Sequence, residues 1–151
     1  MPSSRSHLPI RAALLAIACL LLSSARATEP PAGRRIALSG YDPVAYFTDG
    51  KPVKGVRKHW HAFDDAVYLF RSAAHRDLFA ARPERYAPQY SGFCAGAVSR
   101  GRKVEPDPEA WLIANERLFV FQHKDRVEMF RQKIAEVEAQ ANANWPALKA
   151  K

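Results

Sequence analysis

Large apolar residues alternate with other residues over His59–Phe63 and again over Ala66–Phe70, with Asp64-Asp65 between the two runs. Successive side chains on a strand point to opposite faces, so this pattern predicts a β-hairpin that turns at the acidic pair. A second hairpin is predicted from Leu112–Ala114 and Leu118–Phe121, joined by Asn115-Glu116-Arg117. Between Lys124 and Ala143 the spacing changes: Val127, Phe130, Ile134, Val137 and Ala141 recur at steps of three and four. That spacing predicts an amphipathic helix with an outer face of Glu, Lys and Arg. Ser72 is placed to cap a helix over Ala73–Ala81, with Leu78 and Phe79 facing inward and Pro83 beyond its stop. Asp42-Pro43 is a helix-start pair, predicting a short helical turn over Pro43–Phe47, and Asp107-Pro108 repeats the signal ahead of Trp111. The sum is an α+β fold: a small single domain of two β-hairpins packed with helices and closed by the C-terminal amphipathic helix. No internal repeat, low-complexity block or second-domain boundary is visible.

The start of the chain follows a different logic. Arg5, His7 and Arg11 give a short positive segment, Ala12–Leu22 is unbroken apolar sequence, and Ser23-Ser24-Ala25-Arg26-Ala27 ends in small residues. These are the three parts of a secretory signal, with cleavage expected after Ala27. The apolar run is well short of the about 20 residues that a spanning helix needs, so no membrane anchor is expected after cleavage. Residues 28–35, with Pro30, Pro31 and Gly33, are a flexible lead-in. The expected location is the periplasm or the exterior.

Cleavage would leave 124 residues with 20 basic and 15 acidic side chains, a charge of +5. That length suits one domain. Lys and Arg are interleaved with Asp and Glu, and Arg100, Arg102 and Lys103 form the only tight basic group, so no nucleic-acid partner is expected. Cys19 leaves with the signal, so Cys94 is then the only cysteine and no internal disulfide can form. An unpaired thiol in an oxidising compartment is unusual and draws attention to this position.

Cys94 lies between Gly92 and Gly96, where backbone can approach closely. As a thiolate it would be a soft-metal ligand or a redox nucleophile. As a thiol it would be a small buried hydrophobe, which free cysteine often is. Tyr90 and Phe93 would shape a pocket beside it. No Cys-x-x-Cys pair is present, so a redox cycle would need an external thiol partner. His59 and His61 are two apart, on one face of a strand, and are candidate metal ligands with Cys94; copper, or another soft transition metal, suits such a set. His75 and His123 are expected at solvated positions, and Met129 in the core or on a helix surface. Capping accounts for Asp42 and Asp107, and Tyr41, Tyr46 and Tyr86 suit hydrogen-bonded core positions. The nucleophile elbow, phosphate loop and paired zinc motifs are missing, which leaves no hydrolase reading.

Four ordered segments resemble the exported YHS-domain proteins: Gly40-Tyr41-Asp42-Pro43-Val44-Ala45-Tyr46-Phe47, Tyr86-Ala87-Pro88-Gln89-Tyr90-Ser91-Gly92-Phe93-Cys94-Ala95, Asp107-Pro108-Glu109-Ala110-Trp111 and Ala143-Asn144-Trp145-Pro146. The resemblance spans the expected domain, residues 36–148, and is to the branch that includes selenocysteine-containing members. It implies metal binding or thiol redox chemistry centred on Cys94. Ser91 and Phe93 stand where the family more usually has Gly and Tyr, and Phe119 and Phe121 where it has Tyr and Asn. Two functions are therefore expected as alternatives: a soft-metal-binding or thiol-redox module, or a non-catalytic small-ligand or protein-binding domain in which Cys94 is buried and structural.

Overall fold

The computed structural model describes residues 29–151, so the expected signal peptide and its cleavage point lie outside the described residues. The chain is α+β, as the patterning predicts. Strand β1 (Arg35–Ile36) leads through a 3-10 turn (Ala37–Gly40) into a short helix α1 (Ala45–Thr48). Strands β2 (Val56–Phe63) and β3 (Ala66–Phe70) form the first hairpin, and helices α2 (Ala73–Ala81) and α3 (Pro83–Tyr86) follow. A second 3-10 turn (Gln89–Gly92) enters α4 (Ala95–Val98). The second hairpin is β4 (Asp107–Ala114) and β5 (Arg117–Phe121), and helices α5 (Val127–Gln132) and α6 (Ile134–Lys149) end the chain. Among the described residues no helix is long and apolar enough to cross a membrane.

Both hairpins turn where the sequence places them. Phe63 pairs with Ala66 and His61 with Tyr68 across the first, and Asp64 takes the positive φ of 56° that the tight connection needs. Ala114 pairs with Arg117 across the second, where Asn115 and Glu116 carry φ of 48° and 61°. Two consecutive positive φ values match the right-handed twist of the flanking strands. Strand β1 adds in parallel to β3, with Arg35 opposite Ala66, so the first sheet has the order β1-β3-β2. Ordered structure thus begins inside the predicted lead-in, because Arg35 is already a strand residue.

Three other expectations change. Asp107-Pro108 starts strand β4 and no helix. Its ladder shifts register between Asp107 and Trp111, and proline is tolerated at such an irregularity because no ladder hydrogen bond is required of it there. On α2, Phe79 is fully buried but Leu78 is 38% exposed. Neighbouring helix residues sit about 100° apart, so only one of the two can be central to the inner face. The C-terminal helix is broken at Lys133 into α5 and α6 and continues past Ala143 to Lys149. The break lets Phe130 stack flat on Phe121, ring centres 4.3 Å apart, while Val137 and Ala141 are buried on α6.

Two apolar clusters fill the interior. One gathers Leu38, Val44, Tyr46, Tyr68, Phe70 and Phe79, and the other Tyr90, Cys94, Val98, Phe119, Phe121 and Phe130. The second hairpin serves both, because Leu118 and Val120 belong to the first and Phe119 and Phe121 to the second. Period-two alternation sends neighbouring residues of β5 into different cores.

Phe79 anchors the first cluster, with its ring 5.0–5.9 Å from those of His61, Phe63, Tyr68 and Phe70. Phe79→Ala is expected to lower stability by about 3–5 kcal/mol. The shift in urea midpoint measures this; a loss under about 1 kcal/mol, the level of a surface change, would refute the anchoring role.

Candidate functional site

The loop that carries Cys94 is shaped by a left-handed turn. Tyr90, Ser91 and Gly92 have φ of 58°, 52° and 79°. Only glycine visits this region freely, and a side chain there costs about 1–2 kcal/mol per residue. Surrounding contacts hold the turn in place. The Phe93 N–H donates to the Tyr90 carbonyl at 3.0 Å, and the Cys94 N–H to the Val104 carbonyl at 2.9 Å. Arg35 reaches across from β1, donating to the Ser91 carbonyl at 2.7 Å and to Glu105 at 2.9 Å. Its guanidinium lies 3.8 Å from the centre of the Phe93 ring, a cation–π contact.

Helix α6 closes the loop from the other side. Trp145 packs edge-on to Tyr90 at 5.7 Å and tilted on Phe93 at 6.2 Å. Asn144 donates to the Val98 and Ser99 carbonyls, satisfying the end of α4. The Tyr90 hydroxyl donates to Asn142 at 3.0 Å. Burial pushes the Tyr90 phenol up to about 12; Glu138 adds to the rise and Arg117 opposes it. Gly96 is required by packing, since a Cβ there would lie 2.5 Å from the Phe130 ring.

Cys94 itself is a free cysteine, 3% exposed, among Tyr90, Phe93, Ala95, Ala97 and Val98. Its backbone carbonyl starts α4, accepting from the N–H groups of Ala97 and Val98 at 2.9 Å each. Tyr90 and Phe93 belong to the same cluster as Cys94; both are buried, and both rings pack against Trp145. His59 and His61 lie half-buried on β2, and the His61 ring packs on Phe79 at 5.8 Å. Among the described residues no three His, Cys, Asp or Glu side chains come together as a metal-holding group, so Cys94, His59 and His61 are not brought into one set.

The structure assembles a polar cluster that the sequence reading missed. Asp42 is fully buried, and its Oδ1 accepts from the Val44 N–H at 2.9 Å in the turn that leads into α1, whose N-cap is Val44 and not the expected Asp42. Its Oδ2 accepts from the Arg71 N–H at 2.9 Å and lies 2.7 Å from His75 Nδ1. Arg71 Nη2 stands 3.3 Å from His75 Nε2, and Arg71 also pairs with Asp49 at 2.8 Å. Arginine can only donate, so this contact makes Nε2 the acceptor, and Nδ1–H then donates to Asp42 Oδ2. His75, expected in solvent, is 6% exposed. The clue was available: it precedes the inward Phe79 by four residues and shares its helix face. Both oxygens of the Asp42 carboxylate are held by protein donors, which makes the cluster a latch joining the α1 loop to the start of α2.

No family model matches the chain, and neither does any curated protein or any solved structure.

Removing one partner of a buried, hydrogen-bonded charge costs about 3–5 kcal/mol. Asp42→Ala is expected to reach that range, and His75→Ala to cost less, because two backbone N–H groups still hold the carboxylate. Chemical denaturation of both variants checks the order, and the reverse order would sink the latch. Burial also raises the phenols of Tyr46 and Tyr68 above their ordinary value, as it does Tyr90. Such groups hold their proton more tightly when folded, so their stabilisation is complete below pH about 10, the unfolded value, and is lost as pH rises from there. A melting temperature that falls from pH about 10 to about 12, and falls less steeply in Tyr90→Phe, is the expected result.

Proposed function

We propose that the mature domain is an exported YHS-type binding module, non-catalytic, in which Cys94 is a structural residue. The observation that carries this reading is the enclosure of Cys94. Its side chain is 3% exposed within an apolar cluster, and its backbone is tied at both N–H and carbonyl. A thiol must be reached by a disulfide or a copper ion before it can react, and reactive cysteines are accordingly found in partly exposed surroundings, which this one lacks. Location in the periplasm or outside the cell belongs to the same proposal and rests on the three-part pattern over residues 5–27. On this reading the ligand is a small molecule or a protein partner.

The soft-metal and thiol-redox reading makes opposite demands on the same atom, so one experiment separates the two. Native mature protein is treated with a maleimide or disulfide thiol reagent and compared with protein in denaturant. The structural reading expects labelling of Cys94 only on unfolding, at a rate slowed by several orders of magnitude in the native state. In parallel, copper(I) is titrated into native protein and into Cys94→Ser, with equal uptake expected. Rapid native labelling, or copper uptake that disappears with Cys94→Ser, would overturn the proposal and establish the reactive thiol.

A further inference from the structure

The two halves of the domain carry the same hydrogen bonds at matching positions. In the first, the Tyr41 N–H donates to the Leu38 carbonyl, and the Asp42 N–H to the Val53 carbonyl at 2.8 Å. In the second, the Phe93 N–H donates to the Tyr90 carbonyl, and the Cys94 N–H to the Val104 carbonyl at 2.9 Å. Left-handed residues run through Leu38, Ser39 and Gly40, and again through Tyr90, Ser91 and Gly92. The hairpins share a register as well. Val56 pairs with Phe70 and Trp60 with Leu69, with a register shift between; Asp107 pairs with Phe121 and Trp111 with Val120, with the shift at the same place.

The sequence keeps pace with the geometry. Ser39/Ser91, Gly40/Gly92 and Ala45/Ala97 are identical pairs 52 residues apart. After a one-residue deletion the spacing is 51, and Gly50/Gly101, Val53/Val104, Trp60/Trp111, Phe70/Phe121 and Phe79/Phe130 are identical again. Gly50 and Gly101 both have positive φ. Leu78 and Met129, two of the exposed large apolar residues, are also such a pair. The repeat escapes a reading of the sequence alone because the identities are spread thinly and the spacing changes once.

We infer that the domain is one structural unit used twice, over residues 37–82 and 89–133, and that Cys94 is the second unit's counterpart of Asp42. The units differ at the latch. Asp42 meets Arg71 and His75, whereas the residues matching those two are Gln122 and Arg126, both exposed. The units also differ in what covers them. Val44 and Tyr46 of the first are packed in one cluster with Leu118 and Val120 of the second. Ala95, Ala97 and Val98 of the second are packed in one cluster with Val137, Ala141 and Leu148 of α6. Stacked repeats need a terminal element to close the last apolar face, and α6 is that cap.

This inference stands apart from the proposed function, since a reactive Cys94 would leave the repeat intact. The test is a saturation scan of every position in the full chain, scored by the amount of soluble exported protein. Correlating each position's tolerance profile with that of the position a fixed distance away is expected to give its maximum at a separation of 51–52, with Gly40 and Gly92, Trp60 and Trp111, and Phe79 and Phe130 restricted in matching ways. Val137, Ala141 and Leu148 of α6 are expected to reject charge although they match no position in a unit. A correlation no higher at 51–52 than at other separations would overturn the repeat, and free acceptance of charge along α6 would overturn the cap.

Discussion

The architecture depends on one strand having both faces buried. Leu118, Phe119, Val120 and Phe121 of β5 are all fully enclosed, and alternate residues serve different clusters. Each such side chain contributes about 1.5–3 kcal/mol when removed from water. A two-stranded hairpin is marginal by itself, and both faces of β5 here are covered by other parts of the chain. Neither cluster is complete without it, so the parts of the fold on its two sides are bound to form together. Tyr46 of α1, for example, packs on Trp111 and donates its hydroxyl to the Pro108 carbonyl of β4.

Within that frame the left-handed turns are local strain held by distant groups. Leu38 and Ser39 in one turn, and Tyr90 and Ser91 in the other, take a conformation that side chains disfavour. Around the second turn, Arg35 comes from β1 and Trp145 from α6, elements far apart in the chain. The resemblance segment Ala143-Asn144-Trp145-Pro146 thereby acquires a physical role: Asn144 holds the end of α4, and Trp145 presses on the aromatic rings that precede Cys94. Residues distant in sequence belong together because they clasp one strained loop.

What the sequence could disclose follows the same division between local and distant causes. Both hairpins, the Ser72 cap, which accepts from the His75 N–H, and the amphipathic C-terminal run are set by neighbours within a few residues, and all were legible. Asp-Pro was ambiguous because its local chemistry is the same in both places. Asp42 is drawn into the interior by Arg71 and His75 and leads into a helix, whereas Asp107 caps only the Glu109 N–H at a strand irregularity. The burial of His75 was half legible, through its spacing to Phe79, but its partner lies 33 residues away. The enclosure of Cys94 was legible only as one of two alternatives. It is produced by Val104, Phe119, Phe130 and α6, none of which neighbours it in sequence.

The contrast between Asp42 and Cys94 shows why a cysteine suits its position. The two residues have the same backbone bond to a valine carbonyl at the same point of their units. A buried carboxylate is tolerable only where donors surround it. Asp42 has the N–H groups of Val44 and Arg71 together with the imidazole of His75, so its charge is satisfied. Around position 94 the corresponding space is apolar, and the matching Gln122 and Arg126 side chains are exposed. A residue there must therefore be small, uncharged and at ease among aromatic rings. Serine would bring a hydroxyl that demands a partner, and alanine would leave unfilled volume. A thiol is compact, polarisable and only weakly polar, so it fills the site without needing a donor.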